Sequence, residues 1–531
     1  MVTAPHYLAA IAGLDILRHG GTAVDACISM ASTLCVVFPH MCTLGGDAFW
    51  LIYAHDTGQM YGINASGRAA LAASRDFYQK KGMHHIPPRG YLAINTVPGL
   101  VHGLKTAFEF SQKTLGSRCN LALLMQSALT YAHEGFAVSP SLAKWSAKYL
   151  EGHAKDPKIY PLETEFAKTF FPEGQSLRHG TRFVQPDLAK SLEILLKEGL
   201  ESFYQGSLAQ AMGDDLHSHG APLDSKDFKE HTSTFVTPIK VNYRGYTAYN
   251  LPPNTQGLAS LEILNILQNF DVRSLQEGSA EYYHLLVEAT KLAFRDRDHY
   301  ITDPAWAEIP VDELLAQDYG AKQAASLNLH RATPYPTLDP LGDTVYVAAI
   351  DTYGNAVSML QSIYYDFGAA IVPKGTGIIL QNRGCYFSLD PLHVNVLAPG
   401  KRTLHTLNPA MLLKDGQPTL VYGSMGGEGQ PQTQAQLVTR FVDFAMSPYA
   451  ALALPRFLFG RSWGAPNNKL FLENRVPQDV VEKLRQYGHE LQITEAFSDL
   501  MGHAGALVCD PITHLYQGAS DPRSDGLAIG F

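Results

Sequence analysis

Residues 23–38, AVDACISMASTLCVVF, place apolar groups on nearly every face of a helix. A helix with no polar side has to be covered all round, which demands a thick interior. Thr22 can start it, because a hydroxyl at the N-cap accepts from an otherwise unpaired backbone N–H. A second helix precedes it. His6 to Arg18 carries apolar residues at 8, 11, 14 and 17, and Gly20-Gly21 ends it. After Gly45-Gly46 the apolar run Ala48 to Ala54 reads as a strand, turned back at Thr57-Gly58.

The composition supplies that interior. The chain has 531 residues, 46% of them apolar and only 17% charged. Charged residues usually make up ~25%. Surface grows more slowly than volume, so a chain this long buries a large core without staples. The length fits about three domains or one large α/β body.

Several function classes fall away. The net charge is −9, and Lys and Arg never run longer than a pair, so nucleic acid is not an expected partner. No stretch approaches the ~18 apolar residues of a membrane helix. Met1 to Pro5 lacks the pattern of a signal peptide. The six cysteines, at 27, 35, 42, 119, 385 and 509, form no CxxC pair. Few scattered thiols suit a reducing compartment, so a cytoplasmic protein is expected. His84-His85 and the His217, His219 pair show no HExxH spacing, and the Gly375-Thr376-Gly377 turn lacks a phosphate-loop ending. Neither a metal nor a cofactor is expected.

Further along, residues 153–180 read as a polar surface excursion and 251–257 as a loop. Ser279 can cap a helix with apolar residues at 282, 285, 286, 289, 292 and 293. From Asp343 the texture changes to strands: 345–351, 356–362, 377–380 and 411–413, with a hairpin signal at Asp415-Gly416. Helices are expected to close the chain from about Gln430.

Gly342-Asp343-Thr344-Val345-Tyr346 carries the chemistry. Taken alone, a Thr at a strand start is ordinarily structural, because β-branched residues favour strands. The whole chain changes that reading. It resembles the gamma-glutamyltransferase family of N-terminal-nucleophile hydrolases. The likeness runs through MVTAPHYLAAIAGLDILRHGGTAVDACISMA, FPHMCTLGGDAFWLIY, INTVPGLVHGL, YRGYTAYNLPPNTQG, LLVEATKLAFRDRDHYITDP, GDTVYVAAIDTYGNAVS, FGAAIVPKGTGIILQNRG, GSMGGEG and GASDPRSDGLAIGF, in order. The resemblance implies an α/β fold, a four-layer αββα sandwich. It implies a proenzyme that cuts itself between Asp343 and Thr344 into a large chain 1–343 and a small chain 344–531, which stay together as a heterodimer. It makes Thr344 the nucleophile, Gly426 and Gly427 the oxyanion hole, and Ser362 a hydroxyl beside the nucleophile.

The cut has a physical rationale. A hydroxyl is a weak nucleophile without a base. A freed Thr344 has its own α-amine, with an ordinary pKa of ~7.7–8.0. Inside an uncut chain the same nitrogen is an amide and has no basicity.

The amino-acid clamp typical of the family departs here. Ser66 stands where the family has Arg, with Arg68 two residues on; Tyr364 replaces an Asn. The family's LNN-x-x-D-D stretch reads Leu380-Gln381-Asn382-Arg383-Gly384-Cys385-Tyr386-Phe387 and so lacks the carboxylate that pairs with a substrate amine, and His405-Thr406 replaces a Ser pair. Arg68, Arg383, Asn382, His405 and Thr406 are the expected substrate contacts, because Arg offers a planar fork for a carboxylate. The expected small-molecule substrate is the amide of a carboxylate lacking an α-amine. Oxamate is the smallest, giving oxalate and ammonia, and this branch of the family includes oxamate amidohydrolases of purine breakdown. The alternatives are a glutathione hydrolase or transpeptidase, and a homologue that never matures.

Overall fold

The computed structural model describes residues 1–336, 342–460, 467–510, 513 and 515–531, and of Asp343 the backbone alone. The cleavage position Asp343 therefore lies outside the described side chains.

Two antiparallel sheets form the centre. The seven-stranded sheet runs, in spatial order, Leu527–Ile529, Val2–Ala4, Asp343–Ile350, Ala356–Tyr364, Asp47–Ala54, Gln59–Ala65 and Thr234–Val236. The six-stranded sheet runs Tyr516–Ser520, Ala504–Cys509, Gln417–Ser424, Ala410–Lys414, Tyr246–Asn250 and Ile239–Tyr243. The strand two-residue period sorts side chains onto opposite faces. Phe49, Leu51, Tyr346, Ala348 and Leu360 meet Met411, Val421 and Leu507 of the second sheet. Their alternates Ala48, Trp50, Ile52, Val345, Val347 and Met359 face the other way, onto helices. Both faces are buried, which is why Ala48 to Ala54 is apolar throughout.

Helix Ala23–Val37 is buried at every position, as its composition demands. Thr22 and Asp25 form a reciprocal capping box at its start. Helix Tyr7–Arg18 packs against it and ends before Gly20, whose φ of +79° suits a residue without Cβ. The second sheet is covered by Gly257–Leu267, Ala280–Tyr300 and Gly429–Val442 around a separate apolar core.

Three elements differ from expectation. Residues 377–380 form no strand; Leu380 alone bridges Gly45. The polar excursion contains helix Thr164–Phe170, whose Phe166 and Phe170 are buried. Helix Gly429–Val442 begins where helices were expected, but among the described residues six strands follow it, including Ala504–Cys509 and Tyr516–Ser520. Those runs are short and carry small residues, so their role as sheet partners shows only in three dimensions.

Candidate active site

Thr344 sits at the start of strand Asp343–Ile350, fully buried, on the same face as Tyr346 and Ala348. Its Oγ accepts a hydrogen bond from Gln430 Nε2 at 3.1 Å. Gln430 lies in the first turn of helix Gly429–Val442, so the positive end of that helix lies toward the Thr344 hydroxyl. The turn before it is the glycine pair. Gly426 has φ +123° and Gly427 φ +53°, values that side-chain-bearing residues rarely adopt. Their carbonyls accept from Gly429 N and Gln430 N, at 2.7 and 3.2 Å. Gln256 Nε2 ties the Gly427 carbonyl to that of Thr406, at 2.8 Å each.

The neighbouring strand Ala356–Tyr364 is irregular between Gln361 and Tyr364, and Tyr364 takes φ +83°. Ser362 falls in this bulge, buried rather than facing solvent. Its Oγ accepts from Tyr364 N at 2.8 Å and from Arg383 Nη2 at 3.2 Å. Arg383 also donates through Nη1 to Thr406 Oγ at 3.1 Å, and its guanidinium lies 4.1 Å from the centre of the Tyr364 ring. It is buried, and burial lowers its pKa, opposed by Tyr364 and Asp47. Among the described residues Arg383 Nε has no partner, and no carboxylate forms an ion pair with this guanidinium.

His405 lies beside this group. Its Nδ1 accepts from Leu407 N at 3.3 Å, so the proton sits on Nε2, which donates to Asp47 Oδ2 at 3.2 Å. Burial and then Arg383 push its pKa well below the ordinary imidazole range, so it is neutral. Asp47 collects further N–H groups from Gly67, Gly99 and Gln381 at 3.2, 2.9 and 3.1 Å. Burial raises its carboxyl to about 6, against the pull of Arg383 and these donors.

Two of the expected contacts are engaged by other parts of the protein. Arg68 forms no hydrogen bond or ion pair with Thr344, Ser362, Arg383 or His405. Its Nη1 donates to Asp303 Oδ2 at 3.3 Å and to the Gly400 carbonyl at 3.1 Å, with 44% of the side chain exposed. Asn382 is close, but both ends of its amide are engaged by backbone: Oδ1 accepts from Tyr365 N and Nδ2 donates to the Pro88 carbonyl. It shapes the loop that presents Arg383. Asp47, Gln256 and Gln430 were missed by sequence reasoning. The available signal was position: Asp47 directly follows Gly45-Gly46, and Gln430 follows the second glycine pair by three residues.

A cavity of about 420 Å³ adjoins the group, lined by Tyr364, Tyr386, Leu404, Arg297 and Glu428 among others. Arg297 and Glu428 form a buried ion pair at 2.9 Å.

Through Gln430 the Thr344 hydroxyl is joined to the first turn of the helix that follows the left-handed glycine pair. Comparison with known proteins identifies the lineage. The family model for gamma-glutamyltranspeptidase matches residues 9–531, and the chain belongs to that family. It is thus an N-terminal-nucleophile hydrolase proenzyme. The chain is 43% identical over 530 residues to the glutathione hydrolase-like YwrD proenzyme of Bacillus subtilis, covering all of this chain and 98% of the relative. It is 41% identical over 532 residues to the oxamate amidohydrolase proenzyme of Klebsiella pneumoniae, with the same coverage. The crystal structure of cephalosporin acylase from Bacillus halodurans superposes with a TM-score of 0.91 at 36% identity, covering all of this chain and 95% of that one. No helix among the described residues is long and apolar enough to cross a membrane.

Proposed function

We propose that the chain cuts itself between Asp343 and Thr344, and that the freed Thr344 hydrolyses the amide of a small carboxylate lacking an α-amine, with oxamate as the simplest substrate. In the cut, Thr344 Oγ attacks the Asp343 carbonyl carbon. The peptide becomes an ester, and water releases residues 1–343. In turnover, the new α-amine takes the hydroxyl proton as Oγ attacks the substrate amide. The Gly426 and Gly427 N–H groups hold the oxyanion, a role worth ~10²–10³ in rate per donor. The amine receives that proton and leaves, as ammonia for oxamate. Water then frees the second carboxylate, giving oxalate.

One observation carries the substrate reading: the buried Arg383 fork is bonded to the neutral hydroxyls of Ser362 and Thr406, and no protein carboxylate pairs with it among the described residues. A cation so placed suits a substrate carboxylate. A γ-glutamyl group would bring an ammonium as well. Cys385 and Tyr386 stand at the family's two acidic positions, and burial pushes the Cys385 thiol up to about 12, so neither offers a carboxylate as countercharge. Arg68 contributes at most from a distance. The αββα layering is supported by the apolar core between the two sheets and the two cores on their outer faces. Six unpaired thiols fit a cytoplasmic setting.

The test is kcat/KM for oxamate against glutathione. The reading expects oxamate to be preferred; a preference for glutathione overturns it in favour of the glutathione-hydrolase alternative.

A further inference from the structure

A second group of chemistry-bearing side chains lies apart from the Thr344 site. His284 and Glu288 are one turn apart on helix Ala280–Tyr300, so both project from the same face. His489 reaches them from the segment between helix Gln478–Gln486 and strand Leu491–Thr494. All three are buried, and one ligand atom from each lies within 4.8 Å of the others. The exposed His84-His85 and His217, His219 pairs form no such group.

The hydrogen bonds prepare His284 to give a lone pair. Its Nε2 is 2.8 Å from the Asn328 carbonyl, which only accepts, so Nε2 carries the proton. Nδ1 is then the lone pair, and it faces His489 Nε2 at 2.8 Å. An imidazole whose far N–H is anchored on a carbonyl is the usual arrangement of a metal-ligating histidine. The same spot already calls for positive charge. Glu288 Oε1 is paired with the Lys291 ammonium at 2.7 Å, in nearly complete burial on both sides. The ammonium also donates to the Thr333 carbonyl at 2.8 Å, and Lys291 and Glu288 line a cavity of about 770 Å³ that gives the long stem room to withdraw.

We propose that His284, Glu288 and His489 form a zinc site, with Lys291 as the cation that occupies the place when no metal is bound. Two imidazoles and a carboxylate match the donor preference of zinc, at ~2.0–2.2 Å from each ligand atom. Seating the ion requires the two imidazoles to part by about 0.5 Å to reach tetrahedral spacing. His489 must carry its proton on Nδ1, and the ammonium must leave Glu288. His284 and Glu288 belong to residues 1–343 and His489 to 344–531, so the ion would join the two chains of the processed enzyme.

The test is zinc chloride titrated into the tag-free, purified enzyme against a chromophoric chelator, with the melting temperature read in parallel. The parent should take up one equivalent and melt at a higher temperature with zinc. His489→Gln should weaken uptake by more than the ~10–100-fold that loss of an outer ligand partner costs. Lys291→Met, which removes the competing ammonium, should tighten it by about tenfold. No uptake by either the parent or Lys291→Met at micromolar free zinc would overturn the proposal. So would undiminished uptake by His489→Gln, which would put the zinc elsewhere. If His489→Gln fails to fold, the parent and Lys291→Met comparison still decides.

Discussion

In the proposed function, Arg383 is the residue on which substrate choice turns. It is buried, stacked on Tyr364 and held by two hydroxyls, so its fork cannot wander. Arg383→Gln should keep the shape and lose the charge. Each hydrogen bond to a charged group contributes ~1.5–3 kcal/mol. The loss in kcat/KM for oxamate should therefore be about 100-fold, while a neutral amide of similar size changes little. Equal losses on both substrates would remove Arg383 from the carboxylate. Asp47 makes the pH prediction. Its folded carboxyl is raised to about 6, so the folded protein keeps a proton that the unfolded chain has lost above ~4. Its contribution to stability is full below ~4 and is lost as pH rises through about 6. Urea unfolding between about pH 4 and 7 should show this decline in the parent and a flatter profile in Asp47→Asn; equal slopes would contradict it. Asp47 illustrates what the sequence hides. Its imidazole partner His405 lies 358 positions away, and its other donors at 67, 99 and 381 come from separate segments. Thr344, Ser362 and the glycine pair stood out only through the ordered resemblance along the whole chain, since a strand-initial Thr taken alone reads as structural. What the sequence did not show for Arg68 is its setting: beyond strand Gln59–Ala65 its side chain pairs with Asp303 and the Gly400 carbonyl.

At the scale of elements, the bulge in strand Ala356–Tyr364 brings the Tyr364 backbone against the segment to be cut. A Cβ on Gly342 would stand 2.1 Å from the Tyr364 carbonyl oxygen and 2.5 Å from its ring. Contacts that short force the strand to shift. Gly342→Ala should slow self-cleavage at least about tenfold, the cost of a ~1.4 kcal/mol misalignment of Thr344 Oγ against the Asp343 carbonyl. A denaturing gel time course measures it, and cleavage at the parent rate would show that the notch has no part in maturation. Helices with strong period or full burial, such as Tyr7–Arg18, Ala23–Val37 and Ala280–Tyr300, could be read from the chain. The expected strand at 377–380 could not be checked locally. Its apolar residues pack into the large core without a ladder, and nothing in four residues separates those outcomes.

Across the whole molecule, the two halves are interlocked. The nucleophile strand Asp343–Ile350 lies between Val2–Ala4 and Ala356–Tyr364, and the terminal strand Leu527–Ile529 pairs with Val2–Ala4. A cut before Thr344 breaks one bond and leaves the pairings of residues 345–350 with strand Ala356–Tyr364 within one chain. The far end is fastened by a buried charge cluster. Arg523 pairs with Glu473 at 2.6 Å and Asp521 at 3.1 Å, and Arg456 pairs with Asp521. Removing one partner strands buried charge, at ~3–5 kcal/mol. Arg523→Ala should lose that much in urea unfolding; a change under ~1 kcal/mol would mean the cluster relaxes into water. The account stands most directly on the intact mass of the purified, active protein. It predicts two chains, residues 1–343 and a second beginning at Thr344, with Thr344→Ala remaining one uncut and inactive chain. An active enzyme with the mass of the full 531 residues, or a Thr344→Ala protein that still divides there, would contradict it.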